Sequence, residues 1–178
     1  MKRHRFVRSL LGALCALVVA GCFSHDGPAP SATPAAAAGD PIQFTFGTVE
    51  GGELSSDTTR GRTTALLFVT TYDLPSQAEA LLLRDVVSTH RPLANAAIVM
   101  LEPPQAAPLA QVWADSIGLK LPIAMASPAL MSGDSQLGHI AGVPTLIVLD
   151  RRGRLIGRHE GSLTREQIAE SLKRADPR

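Results

Sequence analysis

The chain has 178 residues, of which 45% are hydrophobic and 19% are charged, a composition typical of a globular protein with room for one domain. Its 17 Lys and Arg residues nearly balance its 16 Asp and Glu residues, and four of the basic residues lie within the first 21 positions. Without that N-terminal segment 13 basic residues stand against 16 acidic ones, so nucleic-acid binding is disfavoured.

The N-terminus predicts an export signal. Basic residues precede the apolar run LLGALCALVVA (10–20), which is too short to span a bilayer as a helix. The ending VAGC (19–22) resembles the bacterial lipobox, which implies cleavage after Gly21 and a lipid attached to Cys22. We therefore expect residues 1–21 to be a lipoprotein signal peptide and Cys22 to hold the protein on a membrane. The alternative is an ordinary signal peptide with a coincidental VAGC.

The cysteine count limits the chemistry of the mature protein. The chain has two cysteines, Cys15 and Cys22; the first lies in the predicted signal peptide and the second would carry the lipid. Disulfide exchange, thiol-dependent peroxide reduction and thiolate metal ligation all need a sulfur that can ionise. The sequence therefore excludes these reactions for the chain acting alone, and we expect no cofactor and no metal.

Residues 22–40 are predicted to be a disordered tether. The segment is rich in Pro, Ala, Ser and Gly and has few large apolar side chains, so it buries too little surface to offset the entropy of ordering. The alternative is an N-terminal arm that lies on the domain. The remaining residues, 41–178, are predicted to form one domain without internal repeats.

Residues 41–178 alternate strand and helix patterns. Strands are predicted at 42–49, around Leu54, and at 63–70, 96–101, 121–126, 145–150 and 154–160. Helices are predicted at 75–90, 108–118 and 135–140, and after a capping box formed by Thr164 and Gln167. The apolar run at 63–70 is typical of a strand buried on both faces. This order predicts an α/β fold with a mixed central sheet flanked by helices on both faces.

Candidate core residues follow the helical periodicity. In the helix at 75–90 they are Ala78, Leu81, Leu82, Val86 and Val87. In the helix at 108–118 they are Leu109, Val112, Trp113 and Ile117. We also expect Met100, Met125 and Met131 in the core.

Two long segments resemble thioredoxin-like proteins of the TlpA and ResA type, within the redoxin superfamily. Residues 142–172 begin with Gly-Val-Pro-Thr and continue through a strand, an Asp-x-x-Gly turn, a second strand and the last helix. Residues 44–71 match the opening hairpin and the central strand of that family. The resemblance covers nearly all of 41–178 and implies a thioredoxin-like fold.

The family's redox motif falls on TTYDLPSQAE (70–79). In the family, Trp-Cys-x-x-Cys stands at the start of the first helix; Tyr72 takes the Trp position, Asp73 the first Cys and Ser76 the second. The peroxiredoxin relatives use Thr-x-x-Cys, in which Thr70 matches the threonine and Asp73 again replaces the cysteine. The sequence thus departs from the family at the two reactive atoms, which implies a degenerate, non-catalytic motif.

Asp73 is predicted to have a structural role. A thiolate at this place is stabilised by the free amides and the dipole of the helix N-terminus, and an aspartate supplies a permanent anion there. Aspartate is also among the preferred N-cap residues, and Pro75 suits the first helical turn. We expect Asp73 to cap the helix through the Ser76 amide.

Val143-Pro144 is the second element that the resemblance identifies. In the family this proline is cis and faces the active-site turn, and the backbone before it pairs with an extended peptide. The resemblance therefore implies a peptide-binding groove formed by Tyr72, Asp73, Pro75, Val143 and Pro144. The alternative is that Pro144 only maintains a turn that the fold needs.

The remaining candidates are weaker. His90 and His139 are expected to be surface or capping residues. The copper-carrying relatives use two cysteines and a histidine, so two of the three ligands are absent. The pair of Asp73 and Ser76 has no histidine placed to activate the serine.

A basic cluster surrounds the predicted hairpin and consists of Arg151, Arg152, Arg154 and Arg158. We expect it to be solvated, or else to meet an acidic partner or anionic lipids.

Two functions remain open. The first is a redox-inactive, lipid-anchored binding or scaffolding module of the bacterial cell envelope, with a peptide or protein partner at the groove. The second is a thiol-disulfide oxidoreductase by family descent, for example with thiols lent by a partner. Phe23 follows Cys22 where an Asp retains such lipoproteins in the inner membrane of some Gram-negative species, which favours the outer membrane.

Overall fold

The computed structural model describes residues 39–176. The strands are β1 (Thr45–Gly47), β2 (Glu53–Ser55), β3 (Thr64–Val69), β4 (Asn95–Met100), β5 (Ile123–Met125), β6 (Thr145–Leu149) and β7 (Leu155–Glu160). The α-helices are α1 (Ser56–Thr59), α2 (Leu74–Thr89), α3 (Ala107–Ser116), α4 (Pro128–Ser132) and α5 (Arg165–Ala175). The predicted signal peptide, Cys22 and the tether as far as residue 38 lie outside the described residues.

Five strands form a mixed central sheet in the order β5-β4-β3-β6-β7. β3, β4 and β5 are parallel, whereas β6 is antiparallel to both β3 and β7. β1 and β2 form a separate antiparallel hairpin, which joins the main sheet through a bridge between Thr48 and Ala124. The predicted α/β class with a mixed sheet is confirmed.

Alternation along the strands divides the core into two layers. Leu67 and Val69 of β3 point to the face covered by α2, α3 and α5. Leu66 and Phe68 point to the opposite face, where they pack with the β1 hairpin and with α4. Every residue of β3 is buried, as predicted for a strand covered on both sides. Helices therefore lie on both faces of the sheet.

The last helix begins at the predicted capping box. The Gln167 amide donates to the Thr164 hydroxyl over 3.3 Å, and the Thr164 amide donates to Oε1 of Gln167 over 2.8 Å. Two otherwise unpaired amides are thereby satisfied, which fixes where α5 starts. Among residues 39–176 no helix is both long and apolar enough to cross a membrane.

The helix predicted at 135–140 is wrong. That segment is a turn and an irregular loop, and Gly138 has a positive φ of 75°. The short helix of this region is α4, seven residues earlier, where Ser127 caps the amide of Leu130 and Pro128 begins the first turn. Gly133, at φ 85°, ends it in the left-handed conformation.

The buried face of α3 differs from the predicted one. Leu109 and Val112 are 55% and 64% exposed, whereas Trp113 is buried as expected. The helix turns two small residues, Ala110 and Ala114, toward the sheet, which allows close packing around the indole. Met100 and Met125 are buried, but Met131, on the outer side of α4, is 49% exposed.

The buried face of α2 is also shifted. Ala78 is exposed, and Leu81 and Leu82 are only partly buried, while Val86 and Val87 are buried as predicted. The residues of α2 that are buried are Ser76, Glu79, Ala80, Leu83, Val86 and Val87. Two polar residues, Ser76 and Glu79, thus belong to the buried face, which the sequence pattern did not predict.

Candidate functional site

The sheet register brings the degenerate motif and Val143-Pro144 to one edge. Phe68 of β3 pairs with Thr145 of β6 in the antiparallel direction. The chain after Phe68 enters the turn at 70–73, and the chain before Thr145 is Val143-Pro144. Both segments therefore meet at the edge where β3 ends and α2 begins. We call this edge, formed by residues 70–76 and 142–144, the motif edge.

Asp73 is the N-cap of α2. Its backbone is extended, with φ −101° and ψ 113°, and its Oδ2 accepts a hydrogen bond of 2.8 Å from the Ser76 amide. Pro75 lies in the first turn, where a missing amide hydrogen costs nothing. The predicted cap is present, and the aspartate satisfies the helix start from within the chain.

The Ser76 hydroxyl is buried and bonded to Asp73. Its side chain is fully buried, and its hydroxyl donates a 2.6 Å hydrogen bond to the same Oδ2 of Asp73. No hydrogen bond joins Ser76 to a histidine among the described residues. The two positions that the sequence resemblance matches to the family's cysteines thus hold a carboxylate and a hydroxyl that are hydrogen-bonded to one another.

Tyr72 and Leu74, on either side of Asp73, are strongly exposed. Tyr72 is 82% exposed and Leu74 is 77% exposed, the two largest values among the large hydrophobic side chains of residues 39–176. Scattered apolar residues are common on protein surfaces, but adjacent ones of this size often mark a binding surface. The motif edge therefore presents apolar area to solvent.

The backbone at Val143 is unpaired. The Val143–Pro144 peptide bond is cis, and the Pro144 carbonyl accepts from the Gly161 amide over 2.8 Å. Neither the amide nor the carbonyl of Val143 makes a hydrogen bond to another residue within 39–176. Backbone groups without an internal hydrogen-bond partner at the edge of a sheet can pair with an extended peptide.

The Glu102 side chain is hydrogen-bonded to the turn of the motif edge. It follows β4, and its Oε1 accepts from the Thr71 amide over 2.9 Å and from the Thr71 hydroxyl over 2.7 Å. Glu102 is buried, and neither its Oε2 nor the Thr70 hydroxyl has a hydrogen-bond partner among the described residues. This carboxylate fixes the backbone immediately before Tyr72. Sequence reasoning missed it because only the parallel pairing of β3 and β4 brings it to Thr71.

Glu79 is a second buried carboxyl that sequence reasoning missed. It lies one turn after Ser76 on the inner face of α2, and its Oε2 accepts from the Leu163 amide over 3.0 Å. Its Oε1 has no partner among residues 39–176. Burial raises the pKa of Glu79 to about 7, against a smaller lowering by the Leu163 hydrogen bond. The signal available in the sequence was its helical spacing: Glu79 lies four residues before Leu83, on the same side of α2.

The other predicted candidates lie apart from this arrangement. His139 is exposed, and His90 is the C-cap of α2, at the opposite end of that helix. A cavity of about 750 Å³ lies beside His90 and the last turn of α5, remote from the motif edge. Within the described range no group of three or more His, Cys, Asp or Glu residues is arranged to hold a metal ion.

Most of the basic cluster is engaged within the chain. Arg151 pairs with Asp176 over 2.9 Å, and Arg154 pairs with Asp150 over 2.7 Å. Burial alone would raise the pKa of Asp150, but hydrogen bonds from the backbone and guanidinium of Arg154 and from the Arg152 amide lower it overall. These pairs hold the β6–β7 turn together.

Many solved structures share this architecture, and thioredoxin-family proteins are among them. A thiol:disulfide interchange protein of the thioredoxin family from Chlorobium tepidum superposes with a TM-score of 0.65 and 24% identity, over 79% of this chain and 97% of that one. The chain has the thioredoxin-like fold. StoA from Bacillus subtilis matches with a TM-score of 0.59 and 26% identity, over 74% of this chain and 96% of that one.

A third thioredoxin-like neighbour is the exposed lipoprotein thioredoxin Etrx1 of Streptococcus pneumoniae, with a TM-score of 0.61 and 17% identity. The match covers 74% of this chain and 98% of that one. No protein-family model and no curated protein sequence matches the chain. At these identities the likeness establishes the fold and not the chemistry, which depends on the residues of this chain.

Proposed function

We propose that this protein is a lipid-anchored thioredoxin-like binding module of the bacterial cell envelope, which captures extended peptide segments without thiol chemistry. The observation that carries the proposal is the Asp73–Ser76 pair, in which one carboxylate oxygen accepts both hydrogen bonds at the positions of the two family cysteines. Residues 39–176 contain no cysteine, so a retained function at the motif edge must rest on binding.

The unpaired backbone of Val143 supports capture of a peptide in extended form. A strand added here could pair with the unbonded amide and carbonyl of Val143, at the same edge as the exposed Tyr72 and Leu74. If Pro144 served the turn alone, neither the exposed apolar side chains nor the open backbone would be needed.

Attachment through Cys22 would hold the domain on the outer side of a membrane, with residues 23–38 between the lipid and the described domain. The signal pattern supports this location, and the pneumococcal neighbour is itself named an exposed lipoprotein. Phe23 after the lipidated cysteine favours the outer membrane in a Gram-negative cell. The membrane is thus the first proposed partner and the captured peptide the second.

A thiol-disulfide oxidoreductase is the second candidate, because neighbours of the same fold are named thiol:disulfide interchange proteins. In this chain both thiols would have to come from a partner protein. Purified full-length protein in detergent should reduce neither insulin disulfides nor hydrogen peroxide above a buffer blank. Activity above the blank that is lost when the protein is treated with a thiol-blocking reagent would show thiol chemistry and would contradict the binding proposal.

The direct test is site-specific photocrosslinking in cells. A photoreactive amino acid at Tyr72 or at Val143 should yield discrete crosslinked products, whereas the same group at Leu93, an exposed residue near the other end of α2, should not. Equal products from all three positions would indicate non-specific collisions and would overturn the proposed groove.

A further inference from the structure

Asp73 has one carboxylate oxygen that no described residue uses. Both side-chain hydrogen bonds of this residue end on Oδ2, and Oδ1 makes no hydrogen bond or ion pair within residues 39–176. The residue is only half-buried, and Oδ1 is not among the fully buried, unpaired side-chain atoms of the described residues, so it can be reached from outside. The motif edge therefore presents an uncompensated acceptor with a negative charge.

Positive charge is absent from the chain segments that form this edge. No Lys or Arg occurs in 63–83, 92–119 or 121–150, which include β3 to β6 and the first half of α2. The same segments carry Asp73 at the edge and the buried Glu102 beneath its turn. The basic residues are instead concentrated in the β6–β7 turn and toward the opposite ends of α2 and α5.

β7 pairs with β6, which begins at this edge, and carries one arginine. The side chain of that arginine already has partners within the chain. Arg158 donates to the carbonyls of Leu137 and His139 and lies 3.2 Å from Oε1 of Glu160. Glu160 pairs with Thr145, beside Pro144, and its side chain is 51% exposed. β7 therefore contributes a compensated arginine and an accessible carboxylate.

An anionic ligand does not fit this arrangement. Helix N-termini often bind anions through their free amides, but Asp73 already occupies the amide of Ser76, and Pro75 has none. A second anion would also face the Asp73 charge directly. A cation meets Oδ1 without displacing any existing hydrogen bond.

From these contacts we infer that the peptide captured at the motif edge carries a Lys or Arg side chain next to a large apolar residue. The cationic group binds Oδ1 of Asp73, and the apolar side chain packs on Tyr72 and Leu74, while the peptide backbone pairs with Val143. This inference rests on the proposed peptide-binding function and adds its specificity. Electrostatic complementarity at such a rim decides which partner is chosen more than how tightly it binds.

The test uses ten-residue synthetic peptides that differ only in their central pair, Lys-Leu, Gln-Leu or Glu-Leu, and full-length protein in detergent. We expect Lys-Leu to bind most tightly and Glu-Leu least. In Asp73→Asn, which keeps an N-cap acceptor but removes the charge, the affinity for Lys-Leu should fall by about fivefold, as for one partly exposed ion pair, and that for Gln-Leu should not change. Added salt should weaken the Lys-Leu complex of the wild type more than that of the variant.

Asp57→Asn is the matched control, because Asp57 is an exposed carboxylate of α1 that pairs with Arg60. It should leave all three affinities unchanged. Equal binding of the three peptides by both wild type and Asp73→Asn would overturn the inference and leave the peptide-binding function standing. No binding of any peptide would overturn both.

Discussion

Ser76 donates its amide hydrogen and its hydroxyl hydrogen to the same oxygen of Asp73, over 2.8 and 2.6 Å. By the resemblance of the sequence, these positions correspond to the two cysteines of the thioredoxin-like redox motif. The contact makes a helix cap that leaves the second carboxylate oxygen accessible. The carboxylate supplies a negative charge at the helix start, and residues 39–176 contain no thiol.

The cap predicts a modest effect on stability. Asp73→Ala should lower the free energy of unfolding by about 1 kcal/mol, because the Ser76 amide loses its acceptor, and Asp73→Asn should lower it by only a few tenths. Denaturant unfolding followed by circular dichroism measures both. A loss in Asp73→Asn as large as that in Asp73→Ala would show that the charge rather than the cap stabilises the helix.

The contact between the two side chains predicts that a disulfide can be restored. The double variant Asp73→Cys, Ser76→Cys should form an intramolecular bond under mild oxidation, because residues at the N-cap and three positions later have the spacing of a Cys-x-x-Cys motif. Mass spectrometry should detect the loss of two hydrogen atoms, and thiol labelling should fall to the level of the parent. The single variant Asp73→Cys is the control, and persistent labelling of both new cysteines would contradict the assigned geometry.

Glu79 predicts a pH dependence of stability. Because burial raises its folded pKa from 4.5 to about 7, the folded state holds a proton that the unfolded state releases between these pH values. The contribution of Glu79 to the free energy of unfolding is therefore most favourable below pH 4.5. It falls by on the order of 3 kcal/mol as the pH rises to 7.

Glu79→Gln isolates this effect, since the amide oxygen can still accept from the Leu163 amide but cannot ionise. The difference in unfolding free energy between variant and wild type should grow in favour of the variant from pH 4.5 to pH 7. Using the difference cancels other titrations, such as that of His159, whose pKa is lowered by burial and by nearby Arg174. A difference that stays constant with pH would show that Glu79 ionises normally.

The hydrogen bonds from Thr71 to Glu102 predict that this carboxylate supports the motif edge. Glu102→Ala should lower the free energy of unfolding by about 1–3 kcal/mol, because the Thr71 amide is left without its acceptor. Amide hydrogen exchange at Thr71 should accelerate in the same variant. Glu102→Gln keeps an acceptor oxygen and should exchange at nearly the parent rate; unchanged exchange in Glu102→Ala would mean that the turn is held by other contacts.

The proposed lipid anchor at Cys22 predicts a change in cell fractionation. Wild-type protein should sediment with membranes, whereas Cys22→Ala should be recovered in the soluble extracytoplasmic fraction or as uncleaved precursor. Cys15→Ala, in the apolar run of the signal, should behave as the wild type. Soluble wild-type protein would favour the ordinary signal peptide over the lipoprotein signal.

The sequence by itself determined the features that depend on residues close together in the chain. The succession of strands and helices along the chain, the cap at Asp73 and the capping box of Thr164 and Gln167 are decided by patterns and hydrogen bonds within a few residues, so they could be predicted. The cysteine count likewise excluded thiol chemistry for residues 39–176 without any coordinates. Where local signals were weak, as for the helix predicted at 135–140, the prediction was wrong.

Only the tertiary structure decided the rest of the motif edge. The partner of Glu79 is 84 residues away, at Leu163, and the partner of Glu102 is 31 residues away, at Thr71. The sheet brings distant segments of the chain together. Their contacts decide which carboxyl groups are buried, which carboxylate oxygens lack a hydrogen-bond donor and which arginines already have partners. Periodicity within one helix carries no information about those neighbours. The sequence therefore predicted where the motif lies, but not that Glu79 and Glu102 are buried beside it.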